Sequence, residues 1–514
     1  MSDPQGRLLE ALRERGAHPA LEFGGRSWSY AELDALSRRY AAGLAGLGIR
    51  RGDRVAVFAE NSPEVVAALL GHWRLGAIHV PVNPRYREEE AGHVLRDCGA
   101  AGVLVAGGSE CEGVLAAVGP LPSAPRRIAC GPGSPAAGGA AFDALAASVP
   151  LEREAPAAAG DTAMLIYTSG TTGKSKGVEL TYANLVDNTL ALTGAWEFSA
   201  SDRVVVALPL FHVHGLCLGT LGSLLAGATV LLFERFAAEA VVDAFARRGA
   251  SVFFGVPTMY VRLLEHLERH PEAAAPLRRA RLFIAGSAPL AADDFRTFRE
   301  RTGHAILERY GMSETLFTLT NPYRGERRAG TVGKPAPGCQ VRIVDDAGAE
   351  VAAGELGEIV VRGHGVMKGY WGRPAETAAT FRDGWFLTGD VARHDADGYV
   401  TIAGRKSVDI IKSGGYKISA REIEDALRRH PAVAEVAVVG VPDRVWGQRV
   451  AAVVVARAGA AEPAALAAEL SSYAAGCLAD YKRPRAIEFV AELPRNALGK
   501  VQKHQLAHLF TSGG

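Results

Sequence analysis

Short apolar runs rich in Val, Ile and Leu alternate with amphipathic stretches through roughly the first two thirds of the chain. Arg54–Ala59 predicts a strand, Ser62–Leu75 a helix, and Ala77–Pro81 and Gly102–Ala106 two further strands. The same alternation continues at Val204–Leu208, Thr229–Phe233, Ser251–Gly255 and Arg281–Ala285, with helices between them. Strands that are apolar on both faces and separated by helices predict mainly parallel, helix-covered sheets. After about residue 330 the pattern shifts to shorter strands joined by Gly and Asp turns: Gln340–Asp345, Gly357–Arg362 and Tyr399–Ala403. A last, compact α+β unit follows Gly404, with helix Ala420–Arg429, strands Val433–Val441 and Arg449–Ala456, and helix Pro463–Leu478. The fold class is therefore α/β, with a large N-terminal domain over 1–403, a β-rich subdomain over about 330–403, and a small domain over 404–514.

Leu216–Phe233 carries no charge over eighteen residues, enough to raise the question of a membrane span. Its glycines at 219, 222 and 227 instead predict a buried short helix, a turn and the strand Ala228–Phe233. The Ala/Pro/Gly-rich stretch 131–159 predicts a surface connection.

A length of 514 residues exceeds one ordinary core, and 48% hydrophobic content supplies material for buried sheets. Lys+Arg (57) and Asp+Glu (56) balance, which argues against nucleic-acid binding through bulk charge. Six scattered cysteines with no CxxC pair suggest neither a zinc site nor a disulfide framework, and fit a reducing cytoplasm. The first sixteen residues mix charges with leucine and do not resemble a secretory signal.

The densest local signal is Tyr167-Thr168-Ser169-Gly170-Thr171-Thr172-Gly173-Lys174-Ser175-Lys176-Gly177, directly after the apolar run Ala163–Ile166. Its glycines let backbone N–H groups approach an anion, its hydroxyls can cradle polyphosphate, and its lysines offset the charge. It is not a Walker A sequence, which would need Gly at 168, where Thr stands. His212 and His214, two residues apart after a strand, lack a nearby third metal ligand. Arg281 opens an apolar strand: buried, it would need an anionic partner; exposed, it would continue the basic run Arg278-Arg279. By itself Lys500 reads as an exposed lysine.

With this loop stand four more motifs in order: Tyr310-Gly311-Met312-Ser313-Glu314-Thr315, Thr388-Gly389-Asp390, Gly404-Arg405 through Glu424, and Pro494-Arg495-Asn496-Ala497-Leu498-Gly499-Lys500. Over nearly its whole length the chain resembles the adenylate-forming enzymes: acyl-CoA synthetases, luciferases and peptide-synthetase adenylation domains. The resemblance implies that ATP is held by Thr168 to Lys174, by Tyr310 to Ser313 and Thr315, and by Asp390 and Arg405 at the ribose. It implies Mg2+ at Glu314 and Thr168, and Lys500 as the cation that meets carboxylate and α-phosphate. It implies a mobile C-terminal domain that delivers Lys500 for adenylation, then rotates to present a CoA-facing loop, Lys412-Ser413-Gly414-Gly415-Tyr416. The family's hinge residue falls at Ser407 here, and the stretch to Gly415 is one residue longer than in many members.

Stretches 308–315, 321–327, 407–416 and 441–449 look most like malonyl-CoA synthetases. That likeness implies an acyl pocket at His212, Gly286, Ser287 and Ala288, with Arg281 pairing the second carboxylate of malonate or methylmalonate. Ala285 and Leu316-Phe317 depart from more polar family residues and would suit a bulkier, less charged acid. Fatty or aromatic acyl-CoA synthetase, carrier-protein-loading adenylation enzyme and non-enzymatic nucleotide sensor remain alternatives. No carrier domain follows Lys500, which favours free CoA. The partners expected are a small acid, ATP and CoA, without nucleic acid or stable membrane insertion, in a monomer or homodimer.

Overall fold

The computed structural model of the chain describes residues 3–106, 109–131, 139–168, 174–406, 408–413, 416–495 and 501–510. The chain divides into two compact units, Met1–Gln340 with Val361–Gly384, and Val341–Val360 with Trp385–Gly514.

The first unit holds two large mixed sheets. Among the described residues, one has nine strands, centred on Arg203–Val206, Val252–Gly255, Leu282–Ala285 and Leu307–Met312. These run parallel, side by side, with antiparallel strands at both edges of the sheet. The other has eight and includes parallel Ile78–Pro81, Arg54–Phe58, Gly102–Ala106 and Arg126–Cys130. Residues of Val252–Gly255 and Leu282–Ala285 are buried at every position, as expected of strands covered on both faces. Phe253 and Phe283 share one core cluster with Tyr260 and Phe298 from the covering helices.

The uncharged run forms a π-helix, His214–Leu221, then helix Gly222–Ala226, a turn at Gly227 (φ +78°) and strand Thr229–Leu232. No helix among the described residues is long and apolar enough to cross a membrane. The 131–159 stretch is more than a surface connection. Helix Phe142–Ala146 packs Phe142 on Tyr40, ring centroids 4.6 Å apart, and Leu145 against Gly43, where a Cβ would lie 2.6 Å from the leucine side chain. Residues 132–138 of that stretch lie outside the described residues.

In the second unit, Trp385–His394 pairs antiparallel with Val400–Arg405. Beyond them, Val433–Asp443 and Gly447–Ala456 form a long hairpin, flanked by hairpin Ile410–Ser413 with Tyr416–Ser419 and by parallel strand Ala486–Phe489. Helices Ala420–Leu427 and Pro463–Cys477 cover one face through Ile423, Leu427, Leu466 and Leu470.

One buried pair makes the first unit acid-sensitive. His72, on helix Pro63–Arg74, and His79, on strand Ile78–Pro81, face each other Nδ1 to Nδ1 at 3.0 Å with no exposure. Burial pushes the pKa of His79 down to about 3, and burial and then the charge of His79 push that of His72 well below 6.5. Both rings are neutral in the folded chain at neutral pH, while the unfolded chain binds protons below about 6.5. The folded state is thus favoured above that pH and loses stability as pH falls toward the depressed folded values. The slope is about 1.4 kcal/mol per pH unit for each histidine. The thermal midpoint is expected to drop from about pH 7 to about pH 5, and to drop less in a variant carrying His72→Leu with His79→Leu. Equal slopes in the two proteins would rule this source out.

Candidate active site

The two ends of the motif 167–177 lie on paired strands. Strands Thr162–Thr168 and Lys176–Thr181 are antiparallel, with Tyr167 opposite Gly177 and Thr168 opposite Lys176. Tyr167 donates its hydroxyl to Asp97 at 2.7 Å, and His93 Nε2 lies 2.7 Å from the carbonyl of Ser175, so both ends of the loop are tethered to helix Glu88–Cys98. Lys174 is exposed. Ser169, Gly170, Thr171, Thr172 and Gly173 lie outside the described residues.

From this hairpin a chain of contacts leads to Glu314. Tyr370 pairs with Val178 of the second strand. Lys176 Nζ lies 5.2 Å over the Tyr370 ring and 2.5 Å from Glu376. The Tyr370 hydroxyl donates to Glu314 Oε1 at 3.1 Å, and Met367 N–H donates to the Glu314 carbonyl at 2.8 Å. Glu314 is buried in the turn between Leu307–Met312 and Leu316–Thr320. A Cβ on Gly311 would fall 1.8 Å from the Leu316 carbonyl oxygen, so only glycine lets this hairpin close. Ser313 and Thr315 share the turn; Thr315 Oγ1 lies 2.9 Å from Thr318 Oγ1. Among the described residues no three His, Cys, Asp or Glu converge as a metal cluster. A single buried carboxylate suits a hard cation whose other ligands are phosphate oxygens, hydroxyls and water.

The acyl side departs from expectation at Arg281. Arg281 Nε and Nη2 donate to the two oxygens of buried Asp202 at 2.9 and 3.0 Å, and Nη1 donates to the Trp196 carbonyl at 2.8 Å. Phe198 and Tyr323 flank its guanidinium, ring centroids 5.2 and 5.0 Å away. The anionic partner demanded by partial burial is therefore internal. Arg281 also stands at the amino end of its strand, while Gly286, Ser287 and Ala288 follow the carboxyl end. Five steps of extended chain separate Arg281 from Gly286, about 16 Å. In parallel sheets ligands bind outside the carboxyl ends.

The arginine at that end is Arg309. Leu282–Ala285 pairs with Leu307–Met312 with Ala285 opposite Glu308, which brings Gly286 to Arg309. A Cβ on Gly286 would lie 2.5 Å from Arg309 Cζ. Arg309 is 3% exposed, and its guanidinium lies 5.0 Å over the Phe317 ring. Its buried Nε and Nη2 find no acceptor among the described residues, and burial pushes its pKa down to about 9. Beside it His214, the first residue of the π-helix, holds Nδ1 3.2 Å from Ser287 Oγ and stands edge-on to Phe254 at 5.7 Å. Burial first, then the charges of Arg309 and His212, keep His214 far below its usual pKa; burial alone takes His212 down to about 4. Both imidazoles are neutral at neutral pH. Ser287, at φ +69°, is exposed. Gly286, Ser287, His214 and Arg309 thus come together, whereas Arg281 does not join them. Arg309 was legible only as the residue before Tyr310 in its motif, and its burial was not.

In the second unit Asp390 and Arg405, both expected at the ribose, lie against each other. Asp390 and Arg405 face each other across two strands, with Arg405 Nε 2.7 Å from Asp390 Oδ1. Arg405 Nη1 also donates to the Thr388 carbonyl at 3.1 Å, while Thr388 Oγ1 accepts from Asp390 N–H at 3.0 Å. Lys412 and Ser413 end one strand of a hairpin and Tyr416 begins the other. Tyr416 is exposed and stacks on Tyr481 at 4.3 Å. Next to Ser413, which pairs with Gly447, Trp446 lies exposed under Arg485, 4.3 Å from its ring. Lys412, Ser413 and Tyr416 were expected in a CoA-facing loop; Tyr481, Trp446 and Arg485 were not anticipated from the sequence. Ser407, Gly414, Gly415 and Lys500 lie outside the described residues.

Residues 8–371 match the family described as AMP-binding enzyme, and residues 422–500 match the AMP-binding enzyme C-terminal domain. The malonate–CoA ligase of Arabidopsis thaliana is 36% identical, covering 98% of this chain and 89% of its own. A feruloyl-CoA synthase of an Amycolatopsis species is 38% identical over 96% of both. The ATP-bound structure of MatB from Rhodopseudomonas palustris superposes with a TM-score of 0.89 at 37% identity, covering 98% of this chain and 99% of that one. With residues 8–371 and 422–500 matched by the two models, the chain belongs to the AMP-binding enzyme family.

Proposed function

We propose that the protein is a malonate–CoA ligase: malonate and ATP form malonyl-adenylate and pyrophosphate, and CoA thiol then displaces AMP to give malonyl-CoA. The observation that carries the substrate class is Arg309. A buried guanidinium with unsatisfied Nε and Nη2 at the carboxyl end of the sheet is costly unless an anion meets it. The carboxylate of malonate that does not react supplies that anion with bidentate geometry. Ferulate, benzoate and fatty acids carry no second carboxylate and would leave the cation unpaired, so relatives of both kinds at similar identity do not weigh equally.

In the first step the reacting carboxylate attacks the α-phosphate. The groups that this chain brings to it are the hydroxyls and backbone of Thr168 to Lys174, the ribose pair Asp390 and Arg405, and the Lys500 ammonium. Lys500 is proposed to offset charge gathering between carboxylate and phosphate as pyrophosphate leaves. Glu314 and Thr168 would hold Mg2+, which offsets the charge of the triphosphate. Neutral His214, held by Ser287, can orient the malonate without adding a second cation beside Arg309. For the second step, Lys412, Ser413 and Tyr416, with Trp446 and Arg485, offer aromatic faces and positive charge suited to the CoA nucleotide and its phosphates. Free cysteines throughout fit a reducing cytoplasm as the working compartment.

An acid panel with ATP and CoA tests the substrate class. Malonate is expected to exceed octanoate, benzoate and ferulate by about a hundredfold or more in kcat/KM, with methylmalonate next. A preference for any monocarboxylate would sink the dicarboxylate reading.

A further inference from the structure

The chain on either side of residues 496–500 is clasped together. Arg495 and Val501 form an antiparallel bridge, and Gln502 N–H donates to the Pro494 carbonyl at 2.8 Å. Leu493 and Leu506 on either side are buried against Val439 and Val453 of the long hairpin. Three residues beyond Lys500 lies Lys503, a largely buried lysine whose Nζ is 2.5 Å from Asp409 Oδ1 and 2.7 Å from Glu424 Oε1. The two carboxylates point elsewhere as well. Asp409 Oδ2 accepts the Arg405 N–H at 2.9 Å, and Glu424 Oε1 accepts the Val438 N–H at 2.7 Å. Asp409 also crowds Gly404, where a Cβ would fall 2.3 Å from its own; Gly404 sits at φ +137°. A continuous path thus runs from the clasped pair Arg495–Val501 through Lys503 and Asp409 to Arg405, and from Arg405 to Asp390.

We propose that Lys503 is a positioning residue for the adenylation step: its ammonium, shared by Asp409 and Glu424, ties the clasped pair Arg495–Val501 to Asp409 and, through it, to Arg405. This rests on the reading of Lys500 as the cation of the adenylation step. A point charge on a flexible stem would not need such an anchor at an exposed surface. Burial works against its charge, and the charges of Glu424 and Asp409 outweigh burial, so that Lys503 stays protonated with a raised pKa. The proton is therefore fixed over the working pH range, and the cluster acts as a strut.

A strut for Lys500 matters to one half-reaction only. The adenylation half is read as malonate-dependent ATP–pyrophosphate exchange. The thioester half is read in reverse, from malonyl-CoA and AMP, as CoA thiol released with malonyl-adenylate. In Lys503→Met, exchange is expected to fall by about tenfold or more in kcat with ATP and malonate KM little changed, because misplacement near 1 Å suffices for such a loss. The thioester half is expected to stay within about twofold, and Lys503→Arg to recover much of the exchange rate. A folded Lys503→Met protein with full exchange, or with both halves lowered alike, would overturn the proposal. If Lys503→Met does not fold, Asp409→Asn is read in its place with the same criteria. Lys500→Ala serves as the reference: full exchange in that variant would instead strike the adenylation reading itself.

Discussion

Arg309→Met is expected to lower kcat/KM for malonate by about two orders of magnitude while raising the thermal midpoint of the ligand-free protein. Loss of a charge partner from a buried pair typically costs about 2–5 kcal/mol, and malonate would lose that amount on binding. The free protein moves the other way. Its guanidinium is withdrawn from water, as the pKa pushed down to about 9 reflects, with Nε and Nη2 unsatisfied among the described residues. An apolar side chain of similar length beside Phe317 removes that cost. ATP KM should change little, and a monocarboxylate such as butyrate should gain on malonate. Arg309→Lys should restore only part of the activity, since an ammonium lacks the bidentate fork. Malonate kinetics equal to those of the unaltered protein would remove Arg309 from the site. The opposite result is expected at the other end of the neighbouring strand: Arg281 already holds Asp202, so its replacement should reduce stability more than malonate selectivity.

Lys500→Ala should lower ATP–pyrophosphate exchange by about a hundredfold or more, a loss of the size found when one preorganised charge donor leaves a transition state. The release of CoA from malonyl-CoA and AMP should persist, because that half needs no new charge at the α-phosphate. The contrast between the halves is the measurement that matters. A variant equally slow in both would point to a misfolded second unit, and one with intact exchange would require a different group to meet the carboxylate and phosphate.

Much of the architecture was readable before any coordinates. Gly102–Ala106 matches its predicted strand at both ends, and the strands at Arg54, Val204, Thr229 and Val252 lie within two residues of expectation at either end. Apolar β-branched runs between helices leave few alternatives to a covered parallel sheet. The eighteen-residue uncharged run was likewise assigned correctly as helix, turn and strand, because Gly227 takes a left-handed φ that ends the helix. The π-helical geometry of His214–Leu221 was not foreseen, since its extra residue per turn leaves no distinct apolar period. Helix Phe142–Ala146 was missed because five residues carry too little periodicity to stand out from an Ala/Pro/Gly-rich background.

The motif residues Glu314, Asp390 and Arg405 were named through the family resemblance, and the turns that carry them are local: Gly311 and Gly389 are demanded by the backbone around them. The choice between Arg281 and Arg309 could not be made that way. Both are arginines at or beside strands of one sheet. Only the sheet shows that one sits at the amino end facing Asp202, while the other sits at the carboxyl end opposite Gly286 with His214 beside it. Strand patterning thus specifies which residues are extended and covered. The direction of each strand, and the partner a buried charge meets, come from long-range packing. A buried cation draws its energetic sign from neighbours far along the chain, as Arg281 does from Asp202, or from none at all, and no local pattern encodes them.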